Sequence, residues 1–407
     1  MPTRAYGPNA QMTPQVVAPF DEVLASNEVA IVCGAGGVGK TTSAAALAVR
    51  IAQHHSKRVL VLTIDPAKRL ADALGLQAVG NAAAPVRLGR GARGELSVAM
   101  LDTSASWDDL VRSNAPDLQT AEKILANPLY RNITERFVQS HDYIAMERLY
   151  ELRSNGDFDL IIIDTPPSRH ALDFLDAPAR MADFFSSALL KWITLPYRLG
   201  GERAGRLGYL AAKPFYQVAD RILGSDFLRE IAEFFLLFQS MYDGFVDRAK
   251  AVTALLHEPT TTFVVVSTLE PSPLHEAEFF LNELERRKLS VGALLLNRTL
   301  PDVFTDPAAI AAATQLAGLN RPPLPGLPEG ERLRVQRAVG ETFLRFSSLA
   351  TSQTAHEARL ARLPDVVLRV PLMESPIGDL AGLTRLADLL WSKPTPAQAI
   401  PGKRKRP

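Results

Sequence analysis

Val29-Ala30-Ile31-Val32-Cys33 runs directly into Gly34-Ala35-Gly36-Gly37-Val38-Gly39-Lys40-Thr41-Thr42, and the alanine-rich stretch Thr41 to Gln53 follows. Five consecutive apolar residues closed by glycines read as a short buried strand, and the alanine-rich stretch reads as a helix. Between them, Gly34 to Thr41 satisfies G-x-x-x-x-G-K-[ST] in the strand, loop, helix context that gives the pattern its meaning. Glycines at 34, 36, 37 and 39 let the backbone N–H groups of the loop, those of Ala35 and Val38 included, turn inward around phosphates at a helix N-terminus. Lys40 is placed to neutralise the β- and γ-phosphates, and Thr41, followed by Thr42, offers a hydroxyl to Mg²⁺. A purely structural glycine turn would need neither the lysine nor the threonine.

Outward from this loop the chain repeats the same grammar. Arg58 to Ile64 is a second apolar run, ending at Asp65-Pro66, and the helix-length interval before it predicts a parallel βαβ unit. Further buried-strand runs lie at Leu160 to Ile163, Phe263 to Val266, Ala293 to Leu296 and Val366 to Val370. Fully apolar strands alternating with helices predict an α/β fold: a P-loop NTPase with a mostly parallel central sheet flanked by helices. Asp164 closes the run Leu160-Ile161-Ile162-Ile163, which puts a carboxylate at the carboxyl end of a central strand, where open α/β sheets bind ligands. It is the expected Mg²⁺ ligand, through water. Asp65 occupies the equivalent place after the second strand, and hydrolysis needs a residue there that positions the attacking water. Either aspartate has an ordinary alternative role as a helix N-cap.

Two segments break the rhythm. From Ala177 to Lys250 the strand signal gives way to helical patterns, and eight of the 18 phenylalanines fall between Phe184 and Phe245. Met181, Phe184, Phe185, Leu189, Trp192 and Ile193 form one apolar face at helical spacing, and Phe227, Leu228, Ile231, Phe234, Phe235 and Phe238 another. Such faces need burial in a core, a client or a partner. The second break, Asn320 to Gly330, carries four prolines and reads as a loop before a helix from about Glu331 to Leu363. The expected organisation is an arm (1–28), a discontinuous ATPase domain (29–176 and 251–395), a helical insert (177–250) and a flexible basic tail (396–407).

Composition removes whole classes. With 45 basic and 44 acidic side chains, the 407-residue chain has no global basic field, so no nucleic-acid partner is expected. Its one cysteine, Cys33, excludes an internal disulfide, a CxxC pair and a cysteine cluster, and no zinc site is expected. The first residues lack the basic start and apolar core of a signal peptide, and no stretch approaches the roughly 18 apolar residues of a membrane span. A cytoplasmic location is the expectation.

Taken together, these residues resemble the ArsA family of ATPases, which includes the arsenite-pump ATPase and the guided-entry ATPase for tail-anchored membrane proteins. The resemblance is carried, in order, by Gly34 to Thr42 (GAGGVGKTT), Thr63 to Leu74 (TIDPAKRLADAL), Asp164 to Leu175 (DTPPSRHALDFL), Pro259 to Val266 (PTTTFVVV), Leu295 to Arg298 (LLNR) and Val370 to Leu372 (VPL). It implies ATP and Mg²⁺ as cofactors and a dimer, of identical or related subunits. It makes Asp65 the switch residue for the attacking water and Asp164 to His170 a loop that senses the γ-phosphate. Asn297 becomes the amide that reads adenine, and Pro371 and Leu372 pack on the base. The insert at 177–250 becomes the surface for a hydrophobic client or membrane-associated partner.

Two departures qualify the resemblance. Relatives carry a lysine after the first glycine of the loop, a residue that reaches the partner's phosphates, and here the residue is Ala35. Lys68, Arg69 or Arg169, a lysine from a related subunit, or a slow switch without such a charge are the ways to accommodate its loss. The CxxC that clamps zinc between subunits is missing too. A reading of another class, a MinD- or ParA-like positioning ATPase that binds membrane or DNA, has only Leu380 to Trp391 as an amphipathic candidate, and a carboxylate-phosphorylating synthetase fits the asparagine and the insert poorly.

Overall fold

A computed structural model describes residues 20–64, 80–136, 138–166, 241–318, 329–360, 366–373 and 377–392, with positions 70, 71, 74, 76, 175–177, 179, 180, 183, 231 and 234–238. In chain order the elements are α1 (Phe20–Ala25), β1 (Val29–Gly34), α2 (Lys40–His54), β2 (Arg58–Thr63), β3 (Ala84–Val86), β4 (Glu95–Met100), α3 (Thr103–Asn114), α4 (Leu118–Ala126), α5 (Pro128–Arg136), α6 (Val138–Asn155) and β5 (Leu160–Asp164). They continue with α7 (Tyr242–Leu256), β6 (Thr261–Thr268), α8 (Pro271–Arg286), β7 (Val291–Thr299), a 3₁₀ turn (Asp302–Thr305), α9 (Pro307–Gly318), α10 (Glu329–Leu360), β8 (Val367–Pro371) and α11 (Leu380–Ser392).

The strands form one eight-stranded sheet in the order β3-β4-β2-β5-β1-β6-β7-β8. Every pairing is parallel except that of β3 with β4 at one edge. β1 lies between β5 and β6, with Val32 in register with Asp164 on one side and Val264 on the other. The crossover β1 to β2 goes one way, and β5 and β6 then fill the positions on either side of β1. The carboxyl end of β1 is therefore flanked by the carboxyl ends of both neighbours, the place where such sheets bind ligands.

Because successive side chains of a strand face opposite ways, each strand feeds two cores. Val29, Ile31 and Cys33 join Ile161, Ile163, Phe263 and Val265 against α3, α6, α7 and α8, while Ala30 and Val32 join Ile162, Val264 and Leu295 against α2 and α11. This explains why the central strands read as unbroken apolar runs. β4 had no such signal: it sits one strand from the edge, and Glu95 is exposed while Ser97 is half-buried, so its pattern is diluted.

Of the second apolar face, Phe234 and Phe238 are buried in the core beneath the sheet and stack in a chain with Phe245, Trp107 and Tyr143, Phe235 packs half-buried against that core, and Ile231 is half-buried. The first face, Met181 to Ile193, lies outside the described residues, as do Phe227 and Leu228. The segment Leu380 to Trp391 is helical, and Leu383, Leu386, Ala387 and Leu390 are spent on the core shared with α2. Among the described residues no helix is long and apolar enough to cross a membrane.

Candidate nucleotide site

The loop between β1 and α2 is shaped by backbone that side chains would obstruct. Gly34 has φ +152°, and a Cβ there would run into the carbonyl oxygen of Val266 on the adjacent strand. Gly39 has φ +98° in the left-handed region and stands as the N-cap of α2, without any side-chain cap on the first turn. The uncapped N–H groups of that turn are the ones a phosphate would satisfy. Lys40, only 8% exposed, donates from Nζ to the carbonyl of Ala35 at 2.9 Å, so its ammonium is folded over the loop. Ala35 is itself buried, and its side chain packs with Val38 in the core on the α2 face of the sheet.

At the other side of the loop, Thr41 Oγ1 donates to Asp164 Oδ2 at 2.6 Å. The same carboxylate oxygen accepts from Thr63 Oγ1 at 3.2 Å. Asp164 is 1% exposed and terminates β5, between β1 and β2. Three strand or helix ends thus converge on one carboxylate: β5 supplies it, β2 contributes Thr63 and α2 contributes Thr41. Thr63 carried no signal of its own, since a threonine at a strand end is ordinary; only the β2 and β5 pairing, Thr63 with Asp164, gives it a role.

Asn297 lies at the end of β7, beside Thr268 of β6. Its Nδ2 donates to the carbonyl of Val38 at 2.7 Å and its Oδ1 accepts from the N–H of Arg298 at 2.9 Å, so it touches the phosphate loop itself. Pro371 ends β8 and Leu372 follows it; the N–H of Leu372 donates to the carbonyl of Thr299 at 2.9 Å, and Leu372 is 53% exposed. Thr42 lies in the first turn of α2. Asp65, Lys68, Arg69, Arg169 and His170 lie outside the described residues. Cys33, just before the loop, is buried with its thiol pushed well above the usual range by loss of solvent, Lys40 opposing the shift only in part.

Comparison with known proteins agrees with this geometry. Residues 27–204 match the family described as Anion-transporting ATPase, ArsA type. A protein named "Putative arsenical pump-driving ATPase 2" from Aquifex aeolicus (strain VF5) is 25% identical over 279 residues, 66% of this chain and 79% of its own. "ATPase get3" from Aspergillus terreus (strain NIH 2624 / FGSC A1156) is 28% identical over 271 residues, and the protein of the same name from Pyrenophora tritici-repentis (strain Pt-1C-BFP) is 29% identical, each match covering 66% of this chain and 72% of the relative. The matched span takes in the phosphate loop and Asp164, the two parts that the fold brings into contact, and these matches support an ArsA-type P-loop ATPase.

Proposed function

We propose that the chain binds ATP with Mg²⁺ and hydrolyses it, working as a dimeric switch whose subunit closure follows the nucleotide state. The observation that carries this reading is the contact between Thr41 and Asp164, which sets a hydroxyl and a carboxylate side by side at the mouth of a glycine loop. Both are hard oxygen donors, and Mg²⁺ in phosphate sites takes one or two such protein ligands and completes its shell with phosphate oxygens and water. The donor set fits the ion: Thr41 would hold it directly and Asp164 through water. Bound there, it would neutralise charge on the β- and γ-phosphates.

The chain's own groups do the rest. Lys40 exchanges the Ala35 carbonyl for phosphate oxygens, a swap that keeps its buried charge paired. The N–H groups opening α2 donate to the phosphate oxygens along the helix dipole. Asp65 is proposed to position the attacking water. With alanine at 35, the loop extends no cation toward a second subunit, so Lys68, Arg69, Arg169 or a related subunit is proposed to supply it. The insert at 177–250 is proposed to meet a hydrophobic client or membrane-associated partner. The positioning-ATPase alternative loses its membrane element, because the apolar face of α11 is already occupied by α2.

Phosphate release by the purified protein, measured with and without Mg²⁺ and beside Lys40→Ala, tests the core of the proposal. Turnover that needs Mg²⁺ and vanishes in the variant is the expected result, and turnover surviving in Lys40→Ala would sink it. Native mass measurement with ATP and with ADP tests the dimer. Isolation from the native host under ATP asks whether a related subunit or a hydrophobic client accompanies it.

A further inference from the structure

The geometry points to Asn297 as a positioning residue of the phosphate loop, holding the Val38–Gly39 peptide in its phosphate-ready orientation whatever base the nucleotide carries. This rests on the reading of the loop as a triphosphate site, and it gives Asn297 a task separate from reading adenine.

The side chain of Asn297 faces the same side of the sheet as Leu295, the α2 side, because the two are separated by one residue along β7. From there its Nδ2 reaches the carbonyl of Val38 at 2.7 Å. A trans peptide is planar and its C=O and N–H point in opposite directions. Fixing the Val38 carbonyl on Asn297 therefore aims the N–H of Gly39 away from β7. The fit is reciprocal: Gly39 has φ +98°, and a Cβ on it would collide with Asn297 Nδ2. The residue that must be glycine for the turn is also the one the amide packs against.

The other end of the amide is anchored as well. Oδ1 accepts from the N–H of Arg298 at 2.9 Å, and Arg298 holds φ +57°, a conformation uncommon for a residue with a side chain. Asn297 is thus braced by the backbone irregularity at Arg298 near the end of β7 and passes that rigidity to the loop. Of its two N–H groups and two acceptor positions, these contacts use one each. One donor and one acceptor remain for a base, so the two roles are separable by experiment.

The test uses the full chain with Asn297→Ala and Asn297→Asp, the second keeping the acceptor to Arg298 and losing the donor to Val38. Affinity is measured for ATP, GTP and inorganic tripolyphosphate, which has no base, and hydrogen exchange across residues 37–41 is followed without nucleotide. Expected are losses of about tenfold that are similar for all three ligands in both variants, with faster exchange in the loop. A loss confined to ATP, with GTP, tripolyphosphate and loop exchange unchanged, would overturn the proposal and leave Asn297 a base reader only. If the wild-type protein binds none of the three, the triphosphate reading fails, and the exchange measurement still decides whether Asn297 braces the loop.

Discussion

Thr41 and Asp164 stand 123 positions apart in the chain and share a hydrogen bond of 2.6 Å. One opens a helix and the other ends a strand, and they meet because β1 and β5 are parallel neighbours, with Asp164 in register with Val32 just before β1 enters the loop. In Asp164→Asn the acceptor oxygen survives but the charge is lost, so the fold should be kept while Mg²⁺-dependent hydrolysis falls. A drop of about 10- to 100-fold in apparent Mg²⁺ affinity or turnover is expected, the usual cost of removing a group that orients a metal ligand. Phosphate release titrated with Mg²⁺ reads this directly; an unchanged titration would remove Asp164 from the site.

Thr268 is the register partner of Asn297, is 3% exposed, and its hydroxyl oxygen has no hydrogen-bond partner among the described residues. A buried polar atom in that state costs stability, and valine fills nearly the same volume without it. Thr268→Val should therefore raise the unfolding free energy of the nucleotide-free protein by about 1 kcal/mol. Urea denaturation checks it, and a destabilised variant would mean that the hydroxyl has a partner in solution.

Cys33 is 1% exposed, and burial pushes its thiol far from the range in which a thiolate forms at neutral pH. It should resist maleimide in the folded protein at pH 8 and react fully once denatured, as counted by intact mass. Rapid labelling under native conditions would show that β1 opens at the loop.

Asp159 accepts from the backbone N–H of Arg58 at 2.8 Å and from its guanidinium at 2.8 Å and 3.2 Å. These hydrogen bonds, the side-chain one foremost, draw its carboxyl down to about 2. The folded state thus keeps this carboxylate charged at a pH where the unfolded chain protonates it. The stabilisation is complete above the unfolded value near pH 4 and is lost as the pH falls toward about 2. The pair is half-exposed and screened by solvent, so Asp159→Asn should cost no more than about 1 kcal/mol at pH 7. Denaturation of both proteins from pH 7 to pH 2 should show the gap closing between roughly pH 4 and pH 2.

The sequence by itself determined the α/β class and the phosphate loop, because both are local statements. A glycine loop with lysine and threonine needs only its own neighbours, and a strand buried on both faces announces itself by five or six apolar residues in a row. It also placed Asp164 at a strand end. What the tertiary structure decided are relations between distant strands. Thr63 joined the Asp164 carboxylate only because β2 pairs with β5. Asn297 found the carbonyl of Val38 only because β6 sets β7 at the right distance from β1. The fates of Phe234, Phe238 and the α11 leucines were equally hidden, since an apolar helical face looks the same whether it meets a core or a partner. Spacing along the chain records which face is apolar; only the packed fold records what that face touches.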